Sequence, residues 1–163
     1  MRQINGTIAI AAAAALLVGA AAPDSSAPDT TAVASTAAVR AQVAAMLAEM
    51  RPDQDFLWRP LVRDGARVAA IEVWKKPGRP AVHPAEAEYA TVLEGAGTLV
   101  SGGTLVAPVT RPNGMIEGDR IAGGTARTLA PGDVLLIPAG VPHWFGITGD
   151  HLVLLGTKLP ADR

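Results

Sequence analysis

From Phe56 onward the chain is cut into short β-rich runs by turn chemistry that returns every several residues. The cuts are Asp64-Gly65, Pro77-Gly78, Glu94-Gly95, Gly102-Gly103, Pro131-Gly132 and Thr148-Gly149-Asp150. Glycine in these pairs admits the left-handed backbone that tight reversals need, and proline presets the turn. Between them, Leu57 to Val62, Arg67 to Trp74, Glu88 to Leu93, Gly97 to Val100, Thr104 to Val106, Ala126 to Leu129, Val134 to Ile137, His143 to Ile147 and Leu152 to Leu159 read as strands. Runs this short, with no helical pattern interposed, predict an all-β antiparallel sandwich or barrel over 53–163 rather than a parallel sheet, which would need crossover helices.

The chain before that domain has a different texture. Thr36 is a plausible N-cap, and Val39, Val43, Met46, Leu47 and Met50 recur at helical spacing until Pro52 stops the pattern, so 36–52 should hold one amphipathic helix packed on the sheet or at a dimer seam. Residues 23–35 are small and polar, with prolines, and read as a flexible linker. Residues 1–22 read as a signal peptide: Arg2 gives a positive start, Ile8 to Val18 an apolar stretch, and Gly19 to Ala22 small residues for cleavage. The apolar stretch falls short of the roughly 20 residues a spanning helix needs. The expected location is therefore periplasmic or secreted, with no membrane attachment after cleavage.

Fourteen basic residues against fifteen acidic ones, with no basic run, give no electrostatic footprint for nucleic acid. Cysteine is absent, which removes disulfides, thiolate ligands and cysteine nucleophiles. A metal in this chain has to sit on histidine, carboxylate and water.

The chain has only three histidines, His83, His143 and His151. Four residues separate His83 from Glu88, and six more lead to Gly95. Downstream, five residues separate Gly132 from Pro138, followed by Ala139-Gly140-Val141-Pro142-His143. In an antiparallel barrel alternate side chains face inward and neighbouring strands lie about 4.8 Å apart, so ligands from adjacent strands can meet at one interior point. These two blocks resemble the two motifs of the cupin superfamily over roughly Val73 to Leu159. The resemblance implies a cupin jelly roll with a divalent metal on His83, Glu88 and His143. Ala81 stands where the family has its first histidine, and Ile147 where an asparagine often ends the second motif. Two histidines and a carboxylate suit iron, and admit manganese, zinc or nickel. A metal-free pocket lined by the same side chains is the alternative. Glu86 is assigned to the rim, and His151 to a solvated turn.

If Glu88 faces inward, strand parity sends Ala90 and Val92 inward and Tyr89 outward; likewise Phe145 follows His143 inward and Trp144 points out. Such an interior is mostly apolar and fits a small-molecule ligand. Residues 107–124 are rich in glycine and proline yet carry Met115, Ile116 and Ile121, which predicts a lid over the mouth or, alternatively, a structural extension of the sheet. Two functions stay open: a metal-dependent oxygenase or isomerase/lyase acting on a small organic substrate, and a non-catalytic small-molecule or metal binding protein. A homodimer is expected through sheet edges.

Overall fold

In the computed structural model of the chain, residues 27–161 are described. The signal-peptide reading of residues 1–22 lies outside them. Residues 27–35 form neither helix nor strand, and among the described residues no helix is long and apolar enough to cross a membrane.

Among the described residues, one helix, α1 (Thr36–Glu49), precedes eleven strands: β1 (Phe56–Asp64), β2 (Arg67–Trp74), β3 (Ala81–Val82), β4 (Glu86–Ser101), β5 (Thr104–Val106), β6 (Val109–Thr110), β7 (Ile116–Glu117), β8 (Arg120–Ala122), β9 (Thr125–Leu129), β10 (Val134–Ile137) and β11 (His143–Pro160). All pairings are antiparallel. The N-cap is Ser35 rather than Thr36. Ser35 is extended (φ −70°, ψ 160°), and its hydroxyl accepts from the Ala38 amide at 3.2 Å, so Thr36 is the first helical residue.

Two strands that the sequence divides in two are continuous. β4 runs straight through Glu94-Gly95, and β11 through Thr148-Gly149-Asp150, because the two strands pair with each other along nearly their whole length. The second turn survives only as a bulge in the register between Ile147 and Leu152. Gly95 makes this close fit possible: its φ is +78°, and a Cβ there would lie 2.0 Å from the His151 carbonyl oxygen.

β11 is the hub of the main sheet. It pairs with β2, and through it β1, on one edge, with β4 on the other, and at His143 with β3. β10 and β9 extend β4 on its far edge. These ladders form the jelly roll that the sequence resemblance implies, and its sheet does not close into a hydrogen-bonded ring.

Residues 107–124 are not a loop. β6 and β7 form a hairpin whose β7 edge extends the main sheet through β3, and β5 pairs with β8.

Alternation along β2 and β11 separates two apolar clusters. Ile71, Val73 and Val153 face α1 and bury Val43, Met46 and Met50. Leu152 and Leu154 face the other way, packing with Ala90, Val92, Leu99, Leu129, Leu135, Ile137 and Phe145, and Trp74 leans on them. Gln42 ties the helix to the bulge in β1 by donating to the carbonyls of Arg59 and Pro60. Met46 is fully buried, so Met46→Ala should cost about 2–5 kcal/mol. Chemical denaturation should show this loss with the helix otherwise retained by circular dichroism.

Candidate metal centre

The face of β1 and β2 that does not pack against α1 borders a cavity of about 570 Å³. Strand parity supplies its walls. Glu72 and Trp74 alternate with Ile71 and Val73 on β2, so they face away from the helix. Phe56 and Trp58 sit opposite Trp74 and Glu72 in register and share that side. The Phe56 and Trp74 rings lie 4.2 Å apart, and Phe145 follows Trp74 at 6.4 Å. An aromatic slot therefore leads inward to His143, whose ring lies 6.0 Å from that of Phe145.

His83, Glu88 and His143 meet at the floor of this cavity. His83 enters just after β3, Glu88 lies near the start of β4, and His143 begins β11. Each offers a ligand atom, and the three atoms lie within 4.8 Å of one another. His143 Nε2 is 3.4 Å and His83 Nε2 3.7 Å from Glu88 Oε2. Bonds of about 2.1 Å from a common centre give ligand separations of this size. His143 Nδ1 is 3.0 Å from the Val141 carbonyl, an acceptor only, so Nδ1 donates there and Nε2 is the ring nitrogen turned toward Glu88 in the cavity. Glu88 and His143 are both buried. The residues present fit a divalent ion.

The predicted parity holds for Ala90, Val92 and Phe145, which are buried in the inner cluster, and for Tyr89, which is exposed. Trp144, expected to point out, instead borders the cavity and donates from Nε1 to the Gly78 carbonyl. Ala81 pairs with His143 across β3 and β11 and lines the cavity. Glu86 is exposed at the start of β4. His151 is not a solvated turn residue: it sits half-buried in β11, with Nε2 3.8 Å from Glu94 Oε2 and no hydrogen bond. From the segment 107–124, Asn113, Met115 and Glu117 reach the cavity wall, held in place by strand pairing and by the Arg111–Glu117 ion pair.

Two further groups belong to the site, and the sequence reading passes over both. Lys158, paired with Glu88 across β11 and β4, bonds the Glu88 carboxylate, and its Nζ stands 3.0 Å from His83 Nε2. Glu72 receives a hydrogen bond from Trp74 Nε1 at 3.1 Å. Both share the phase of inward-facing neighbours, Lys158 that of Leu152 and Leu154 and Glu72 that of Trp74; a charged residue in an inward register is the signal that marks them.

The environment shifts these groups apart. Burial pushes the Glu88 carboxyl up, but the adjoining His143 ring and the Lys158 ammonium outweigh it and hold it at about 2. Burial, reinforced by Lys158, lowers His83 to about 4. Burial also lifts Glu72 to about 7, helped by the negative charge of Glu88. Near neutral pH both triad functions are thus ready to ligate, with an ionised carboxylate and an unprotonated His83, while Glu72 can still carry a proton.

No protein-family model matches the sequence, and no curated protein matches it. Solved structures do. TT1209 from Thermus thermophilus aligns over 73% of this chain and 95% of its own, at 18% identity and a TM-score of 0.51. KdgF from Halomonas sp. aligns over 70% and 87% at 16% identity, with a TM-score of 0.47. Hydroquinone 1,2-dioxygenase PnpCD, in complex with Cd2+ and 4-hydroxybenzonitrile, aligns over 61% of each chain at 19% identity, with a TM-score of 0.48. At these identities the likeness is one of fold.

Glu72 gives a pH-dependent prediction. Its folded-state value lies above the ordinary carboxylate value of 4.5, so its contribution to stability is complete below about 4.5 and is lost as pH rises through about 7. Glu72→Gln should remove a loss on the order of 1–3 kcal/mol across that window. Denaturation series at several pH values, wild type against variant, measure the difference; parallel curves would contradict it.

Proposed function

On the cupin fold that this chain carries, we propose an exported metal-dependent enzyme acting on a small, largely apolar organic substrate, as an oxygenase or an isomerase/lyase. The observation that supports it is the convergence of His83 Nε2, Glu88 Oε2 and His143 Nε2 at the base of an aromatic-walled cavity. Three protein ligands leave open positions, the arrangement of catalytic rather than structural centres. A divalent ion held there supplies Lewis-acid chemistry or, as iron, redox chemistry.

The chain's own groups account for the rest. Phe56, Trp58, Trp74 and Phe145 offer flat apolar surface for the body of the substrate and keep bulk water from the floor. The Val141 carbonyl fixes the orientation of His143. Glu72, able to hold a proton near neutrality, is placed on the same wall to give a proton to a substrate oxygen or to take one from carbon. The reading as a non-catalytic binding protein draws on two observations, the methyl group of Ala81 where a fourth ligand would stand and the ammonium of Lys158 in the cradle.

Export rests on the N-terminal composition. Dimerisation has support on the outer face, where Val134 and Leu136 of β10 are 61% and 60% exposed, with Tyr89 paired to Leu136 and Leu159 nearby on β11. We propose that a second copy covers this face, since monomers rarely expose contiguous apolar surface. Sedimentation should show a dimer at micromolar concentration that Leu136→Asp converts to monomer; a wild-type monomer would reject it.

For the metal centre, His83→Ala and His143→Ala should each weaken binding of manganese, zinc or iron at least a hundredfold while the sheet stays folded. Ala81→His should strengthen it, because position 81 faces the cavity opposite His143. Metal content by mass spectrometry after dialysis, with circular dichroism as the folding control, decides both. Retention of stoichiometric metal by either alanine variant would mean that these are not the ligands. Substrate-dependent oxygen uptake or product formation by the loaded protein then separates an enzyme from a binding protein.

A further inference from the structure

Lys158 occupies a position that the metal-centre reading does not explain. Its Nζ donates to Glu88 and lies 3.0 Å from His83 Nε2, so one cation already sits among acceptors that would ligate a metal. An ammonium has three protons and no lone pair, so it can satisfy the cradle but cannot join it as a ligand. An ion placed among His83, Glu88 and His143 would meet that positive charge at contact distance, inside a cavity where screening by water is weak. The two cations exclude each other.

The surroundings also provide somewhere for the lysine to go. Lys158 borders a second hollow of about 380 Å³, which Trp58, Glu72 and Glu86 also line. Glu72 and Glu88 border both this hollow and the main cavity. A four-carbon stem rooted on β11 can turn Nζ from Glu88 toward Glu72 or Glu86 without leaving carboxylates.

We propose that Lys158 is a tethered counter-cation that fills the His83–Glu88–His143 cradle in the metal-free protein and is displaced toward Glu72 and Glu86 by the incoming ion. It keeps the buried Glu88 carboxylate paired when no metal is bound. It also lowers the affinity of the site for every ion by the same factor, so only ions that bind tightly displace it. The inference rests on the reading of the triad as a metal centre and adds what that reading lacks, the state of the site before loading.

The test uses the full chain stripped with chelator and titrated calorimetrically with Mn2+ alone, comparing wild type, Lys158→Met and, as a second neutral variant in case the first misfolds, Lys158→Gln. The expected result is a gain in Mn2+ affinity of tenfold or more in the neutral variants over the affinity measured for the wild type. The stripped variants should melt below the stripped wild type, and Mn2+ should raise their melting temperature by more. Unchanged or weaker affinity would overturn the inference, since a lysine that orients the ligands gives a loss on removal. His83→Ala keeps the two ideas apart. If that variant loses Mn2+ and the lysine variants gain nothing, only the counter-cation role fails; if no form of the protein binds Mn2+, or His83→Ala binds like wild type, the metal-centre reading fails and takes this one with it.

Discussion

The pairing of β4 with β11 is the interaction on which the rest of the structure depends. It runs from Glu86 opposite Pro160 to Ser101 opposite His143, and the rest of the main sheet is built outward from these two strands, through β2 and β1, through β3, β7 and β6, and through β9 and β10. An antiparallel ladder of this length fixes register, because a slip of one residue would turn every inward side chain outward. The same register sets Lys158 against Glu88 and brings His143 to the end of the ladder beside Ala81. The bulge at residues 148–151 and the glycine at position 95 let both strands bend without losing each other.

From that ladder follows a division of labour between the faces of the sheet. β2 and β11 send one set of side chains toward α1 and the other toward the inner cluster. The helix closes the first face with Val43, Met46 and Met50, so the inner face is free to taper from a packed aliphatic cluster into an aromatic cavity. Dense packing of the cluster carries stability, while the polar groups gather where the packing opens. Charges are expensive to bury singly. Here they are grouped, with Glu88, Lys158 and the two imidazoles satisfying one another, and Glu72 eased toward its neutral form.

This grouping links stability to chemistry. A carboxylate held ionised and an imidazole held neutral are what a divalent ion requires of its ligands, and the same low-dielectric pocket that produces the shifts would strengthen the field of an ion placed there. The lysine contributes to the one and competes with the other. A site built this way has two occupied states, one with an internal cation and one with an external one, and the balance between them is set by a single flexible side chain.

Much of this was legible in the sequence. The spacing His83 to Glu88 to Gly95 and Gly132 to Pro138 to His143 resembles the cupin motifs and through that resemblance implies the triad, while turn chemistry gives the all-β class and parity sorts Ala90, Val92 and Phe145 inward from Tyr89 outward, because class and parity depend on local periodicity. Whether a turn-like pair interrupts a strand does not. Glu94-Gly95 and Thr148-Gly149-Asp150 carry the local signal of a reversal, but two long partners can absorb it as a bend and a bulge when each supplies the other's hydrogen bonds. The hairpins inside 107–124 were hidden for a related reason, since β6 and β7 are two residues each and exist only because β3 offers an edge. Lys158 lies far along the chain from His83 and Glu88, and nothing local says that a lysine in an inward register will find a buried carboxylate opposite. The sequence determined the all-β class, the helix before it and which side chains can ligate; the tertiary structure alone decided that a cation of the protein's own stands among those side chains, because that contact is made by register between distant strands and by the low dielectric they enclose.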